Sequence, residues 1–209
     1  MKCNFNINTT MRILLFLCAT FLATSCETGK KTPALEYKYA DKEQSINCTG
    51  QKNALLNEAL YSFEQDITRN YDPETQRTTV AYARFIVPGL SGTAEFNRLP
   101  SDHSKAILEK LKEEKIIVMN LEGKSNLNYD HPAVTCLLDN LEDGAIMKTL
   151  KALIETGSMD PKLMDTRMRN KGRDLDRQRN LALYVALDAY YQNLANIDWD
   201  AIPSETTTE

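Results

Sequence analysis

Few residues in this chain are suited to chemistry, and they are scattered. It has two histidines, His103 and His131, and each follows an aspartate, Asp102 and Asp130. Two Asp-His pairs brought together could hold a divalent metal. The competing reading puts both pairs at helix starts, where aspartate is favoured as a cap and in the first turn. Neither pair shows the i, i+4 spacing usual for ligands on one element, so no metal is expected. A Ser-His-Asp or Cys-His centre would have to use one of these histidines, and neither lies near a nucleophile elbow. Pro88-Gly89-Leu90-Ser91-Gly92-Thr93 lacks the Lys and the spacing of a phosphate-cradling loop and reads as a helix connection. The segment from Met164 to Arg179 is the densest charge cluster, with Arg167, Arg169, Lys171, Arg173, Arg177 and Arg179 against Asp165, Asp174 and Asp176. That excess could meet anionic lipid, glycan or an acidic partner. The alternative is a solvated helix-loop-helix, hinged at Gly172, whose charges pair locally. Two otherwise apolar stretches, Val80–Val87 and Leu181–Tyr191, carry one charge each, Arg84 and Asp188. A charge buried there needs a partner. An Arg84–Asp188 pair would supply it; otherwise each reaches solvent by its own route. Tyr184, Tyr190 and Tyr191 could line a pocket, although aromatic residues at helical spacing more often form core. Paired carboxylates from different helices, the acid and base of a hydrolase, leave no mark on a sequence.

The cysteines carry more information. Ile13 to Ala23 is a run dominated by apolar residues behind Lys2 and Arg12, with no acid nearby. A helix of that length spans roughly 16 Å, about half a hydrocarbon core. It is too short for a comfortable transmembrane helix and right for a signal-peptide core, starting at Met1 or at Met11. The run leads into Leu22-Ala23-Thr24-Ser25-Cys26. This stretch resembles the lipobox of bacterial lipoprotein precursors, with Thr24 and Ser25 at the small positions. Ala23 departs from the Leu preferred three residues before the cysteine. The resemblance covers the first 26 residues. It implies that the Cys26 thiol receives a diacylglyceryl group and that cleavage precedes it. The mature chain would then be held by acyl chains in a cell-envelope membrane, the outer membrane by preference, facing periplasm or cell surface. The alternative is ordinary cleavage with Cys26 as a structural thiol.

Export puts the chain where disulfides persist. Cys3 and Cys18 would leave with the signal, so Cys48 and Cys136 remain. Val134, Leu137, Leu138 and Leu141 form one helical stripe, and Cys136 falls on the opposite side with Thr135, Asp139 and Asn140. A buried thiol would sit on the stripe, so a Cys48–Cys136 bridge is expected.

Helical periodicity dominates after residue 50. Leu56, Leu60, Phe63 and Ile67 step by four, three and four. Asp72-Pro73 predicts a cap and first-turn proline opening a helix that ends at about Val87, before Pro88-Gly89. Pro100-Ser101 opens the next, with Ile107, Leu108 and Leu111 inward. Ile116 to Met119 is a short strand or a helix end, Leu35–Tyr39 is a weaker strand candidate, and Gly123 to Tyr129 reads as a polar loop. Asp130-His131-Pro132 opens another helix. Ile146, Met147, Leu150, Leu153 and Ile154 mark one that Gly157 stops, and Asp160-Pro161 repeats the cap-plus-proline signature. The last helix is expected from about Asp174 to Asn196, with Trp199 either packing back as a latch or contacting a partner. The fold expected is a single all-α bundle of six to seven helices with at most one short strand. The divisions expected are a signal peptide over 1–25, lipidated cysteine and flexible tether over 26–45, helical domain over 46–198 and tail over 199–209.

The 209 residues are 26% charged and 42% hydrophobic, with net charge −4. That is too apolar for a disordered chain and too cysteine-poor for a disulfide-dense scaffold. Without residues 1–25 there are 23 basic against 29 acidic residues, a net of −6. Such acidity argues against nucleic acid as a partner. Nothing calls for a cofactor. The function expected is an anchored envelope binding or assembly module with a protein or glycan partner. The alternatives are an envelope hydrolase using Asp/Glu residues and a carrier of an apolar ligand.

Overall fold

The computed structural model describes residues 35–48, 50, 52–159 and 166–201. The expected signal segment, Cys26, the Asp160-Pro161 signature and the end of the tail lie outside them. The described chain is an all-α bundle with one small two-stranded sheet.

The four-three-four stripe is realised in helix α1, Asn53–Tyr71. Leu56, Leu60, Phe63 and Ile67 are completely buried. Each such side chain contributes about 1.5–3 kcal/mol relative to exposure. The helix is enclosed well beyond that stripe, because Asn57, Glu58, Ser62, Glu64, Asp66 and Thr68 are buried too. It packs against helix α2, Thr78–Leu90, helix α3, Asp102–Glu113, and the last helix. The Phe63 ring meets Tyr82, Phe85 and Tyr190 at centroid distances of 5.7, 5.1 and 5.1 Å.

Asp72-Pro73 does not open α2. Asp72 ends α1, its N–H donating to the Thr68 carbonyl. Its carboxylate accepts from the Thr75 hydroxyl and, at 2.8 Å, from the Arg77 N–H. Those bonds stabilise a turn through Gln76, at φ 51°, and delay the helix until Thr78. At its far end α2 continues through Pro88 to Leu90. The Pro88 carbonyl accepts from the Thr93 and Ala94 N–H groups, which closes the exit.

Helix α3 starts as expected. The Ser101 hydroxyl caps it by accepting from the Ser104 N–H, and Ile107, Leu108 and Leu111 are inward. Strand β1, Ile117–Met119, pairs antiparallel with strand β2, Ser125–Leu127, with Ile117 opposite Leu127. The second strand falls inside the expected polar loop. Ser-Asn-Leu has little strand character of its own. Its backbone is fixed from outside: the Ser125 N–H donates to Asn196 at 2.8 Å and the Leu127 N–H to Gln192 at 2.7 Å. Leu35–Tyr39 forms no strand.

Helix α4, Pro132–Asp139, is capped by His131, whose Nδ1 accepts from the Ala133 N–H. Asp143 caps helix α5, Gly144–Glu155. The chain leaves α5 through Gly157, at φ +63°. Asp174 to Arg177 are turns rather than the start of the last helix. Helix α6, Arg179–Val185, passes into a π-helical segment, Ala186–Tyr191, and ends in Gln192–Leu194. Its wall of buried Leu, Ala, Val and Tyr side chains makes it central, as its near-uniform apolarity predicted.

The ordered fold also extends past the limits expected of it. Residues 35–45 are docked on α1 instead of forming a free tether. The Lys38 and Tyr39 N–H groups donate to the Glu58 carboxylate at 2.6 and 3.0 Å, and the Ser45 N–H to Asn57 at 3.0 Å. Cys48 and Cys136 form the expected disulfide, which ties this strap to α4 across a sequence separation of 88. At the other end Trp199 is half-buried against the core, with the Lys105 ammonium 5.0 Å from its ring. It is a latch and belongs to the bundle, not to the tail. Among the described residues no helix is long and apolar enough to cross a membrane.

Candidate functional site

Tyr184 and Asp188 are four residues apart on the last helix, so their side chains share a face. Asp188 stands in the π-helical segment. Such segments add a residue to a helical turn and are common at functional sites. The widened turn faces a cavity of about 320 Å³. Its apolar wall is Leu90 from the end of α2, Leu127 from β2, and Met159 and Met168. Tyr129, from the loop between β2 and α4, closes the polar side, its hydroxyl donating to Asp188 Oδ1 at 2.8 Å. Tyr184 lines the cavity beside this carboxylate. Gln192 lines the cavity too, but its side-chain oxygen is engaged by the Leu127 N–H.

The electrostatics of this group are unusual for the molecule. Burial pushes the Asp188 carboxyl above the usual carboxylate range, against the hydrogen bonds from Tyr129 and Tyr184, which pull it down. Burial, with the Asp188 charge behind it, raises both tyrosines far above the ordinary phenol value. The two hydroxyls therefore stay protonated and act as donors rather than as bases. No Lys, Arg or His among the described residues pairs with Asp188.

The carboxylates buried on α1 differ in this respect. Glu58 accepts from the two strap N–H groups and lies 2.6 Å from His103 Nε2. Glu64 takes the Arg179 guanidinium through both oxygens, and the Tyr82 hydroxyl donates to it at 2.8 Å. Asp66 Oδ2 gathers the hydroxyls of Ser104 and Tyr190 at 2.5 and 2.6 Å. Its Oδ1 faces Arg69 at 3.0 Å in an ion pair rather than an aligned hydrogen bond. Each of these three meets a basic side chain and stitches elements together.

The residues singled out in the sequence are dispersed. Arg84 is largely exposed; it bonds the Tyr71 carbonyl and pairs with Asp72 at 3.8 Å. The Arg84–Asp188 pair is therefore not formed, because each partner finds a nearer one. Nor do the cations of 167–179 form one patch. Lys171 pairs with Asp143 at 2.8 Å, Arg177 with Asp174 at 2.7 Å, and Arg167 donates to the Thr149 hydroxyl. Arg169 is also engaged, and Arg173 is exposed. Arg179 leaves the surface altogether for Glu64 and stacks over Tyr61 at 5.1 Å. Local ion pairing is what this segment shows. Asp102 and His131 serve helix starts, and among the described residues no cluster of three or more His, Cys, Asp or Glu could hold a metal.

A second, wider groove of about 590 Å³ places Glu64 and Asp176 on one wall with Arg77 and Arg179. Glu64 is locked by Arg179, and Asp176 accepts from the Thr79 hydroxyl at 2.6 Å. Both carboxylates of this groove are thus engaged by side chains of the fold.

Tyr129 escaped the sequence reading because it sits in a stretch read as a loop. In the sequence Asp188 stands out as the one charge of an apolar stretch, and Tyr184 as one of three tyrosines that could line a pocket. The signal that could have joined them was the need of Asp188 for a donor. No protein-family model, no curated protein and no solved structure matches the chain.

Proposed function

We propose that the protein is a membrane-anchored envelope lipoprotein, lipidated at Cys26, whose helical domain binds a small ligand in the cavity at Tyr129, Tyr184 and Asp188. One observation carries the binding half: a largely apolar cavity, within the size range of ligand sites, lined by a single half-buried acid that the Tyr129 hydroxyl holds in place. The lipobox resemblance of Leu22 to Cys26 supports the anchor. The outer membrane is the favoured site, facing periplasm or cell surface, and the cavity ligand takes precedence over a protein or glycan partner as the object of binding.

Two experiments test the two halves. Cys26→Ala moves the chain from the membrane fraction to the soluble envelope fraction; a variant that stays in the membrane refutes the anchor. For the binding half, the exported Cys26→Ala chain is screened by thermal shift against small amines, acids and neutral aromatics. A saturable stabilisation is expected that Leu90→Trp, which fills the cavity, abolishes. Hits that survive Leu90→Trp place binding elsewhere and refute the site.

A further inference from the structure

We infer that the cavity takes an organic cation, an amine or quaternary ammonium carried on an apolar body of roughly aromatic-ring size. This rests on the reading of the cavity as a ligand site and names the class of ligand. Three features support it.

The first is charge. Glu58, Glu64 and Asp66 are buried carboxylates of the same core, and each has a basic side chain within 3.1 Å. Asp188 is half-buried, takes the Tyr129 hydroxyl, and has no basic partner among the described residues. A carboxylate withdrawn from water without a counter-charge is costly, and a bound cation removes that cost. Among the described residues lining the cavity, Asp188 is the one charged side chain, so the site matches a single positive charge and repels an anion.

The second is the wall. Leu90 and Leu127 offer apolar surface, and Met159 and Met168 add polarisable thioethers that adapt to a ring. Tyr129 and Tyr184 add aromatic rings to the lining beside the acid, and aromatic rings favour ammonium groups. The wall suits the body of the ligand and Asp188 its head.

The third is the rigidity of the acceptor. The Tyr129 hydroxyl holds the carboxylate at 2.8 Å, and the Gln192 bond to Leu127 ties the helix to the opposite wall. An acceptor fixed in this way loses little freedom on binding.

The test is calorimetric titration of the exported Cys26→Ala chain at about pH 8, where amine probes remain protonated and the acid ionises more fully. The probes are benzylamine, phenethylamine and 4-phenylbutylamine, each beside the alcohol of the same skeleton, with phenylacetate as the anionic control. At least one amine is expected to bind about tenfold or more tightly than its alcohol, as a charge-assisted hydrogen bond implies. Phenylacetate should not bind. Asp188→Asn, isosteric and checked for folding by circular dichroism, should bring amine and alcohol to equal affinity. Alcohols that bind as well as amines would overturn the cation while leaving a ligand site. An amine preference that survives Asp188→Asn would overturn the role of Asp188. Absence of saturable binding by every probe would overturn the ligand site and the cation together.

Discussion

Replacing Arg179 with Met separates the surface role its sequence suggested from the core role it occupies. Met keeps most of the aliphatic volume and removes the charge. Arg179 is 27% exposed and Glu64 11%, so the variant leaves a mostly buried carboxylate with only the Tyr82 hydroxyl at 2.8 Å. Breaking a fully buried pair costs about 3–5 kcal/mol. Partial access of Arg179 places this pair at about 3 kcal/mol. Loss of the stack over Tyr61 adds about 0.5–1 kcal/mol. The sum, about 3.5 kcal/mol, is a large share of a domain's stability. Adding Glu64→Gln removes the stranded charge, so the double variant should recover at least about 1 kcal/mol. Urea unfolding at neutral pH, with an unchanged slope, reads both values. A solvated surface arginine would cost no more than about 0.5 kcal/mol. A loss that small, or a double variant as unstable as the sum of the singles, would refute the assignment of Arg179 to the core.

Other perturbations probe other parts of the fold. Cys48→Ala with Cys136→Ala opens a loop of sequence separation 88 and should cost about 4–5 kcal/mol in the chain-entropy model. Indifference of the urea midpoint to a reducing agent would contradict that. Gly89→Ala sets a Cβ 2.5 Å from the Phe85 ring, so thermal melting should show a loss of about 1–3 kcal/mol from overpacking; a neutral variant would mean that the Phe85 ring is free to turn aside. The pH dependence follows Asp188, faced by the Tyr129 and Tyr184 hydroxyls. Its proton is held more tightly folded than unfolded, so its contribution to stability is full below the ordinary carboxylate range and is lost as pH rises through the raised value. Asp188→Asn should therefore raise the melting temperature near neutral pH and flatten its fall as pH rises above the ordinary carboxylate range; a variant less stable than the parent at neutral pH would contradict the direction.

The helical framework was legible because it rests on periodicity. The stripes of α1, α3 and α4 named buried residues, that of α5 named Ile146 and Leu150 with Met147, Leu153 and Ile154 only half-buried, and the side on which Cys136 lies named the bridge. What failed depended on side chains reaching across the chain. The Asp72 carboxylate spends its acceptors on Thr75 and Arg77, which turns an apparent helix start into a connection. Strand β2 exists because Gln192, at the end of the last helix, and Asn196, in the turn after it, satisfy its backbone from 65 and 71 residues away. Arg179 read as one of a run of cations until Glu64, far off in sequence, claimed it. The candidate site shows both cases together. Asp188 stood out as a lone charge on an apolar helix, whereas Tyr129 lay in an unremarkable loop and joins it only through tertiary packing.

The central claim is that a cationic ligand occupies the cavity at Asp188. The most direct measurement is an NMR titration of phenethylamine into the exported Cys26→Ala chain with carbon-13 in the tyrosine rings. The resonances of Tyr129 and Tyr184 should shift saturably, while those of Tyr37 and Tyr61, remote from the cavity lining, stay in place. Leu90→Trp should abolish the shifts. Unmoved Tyr129 and Tyr184 rings at saturating amine, or shifts confined to the other tyrosines, would contradict the account.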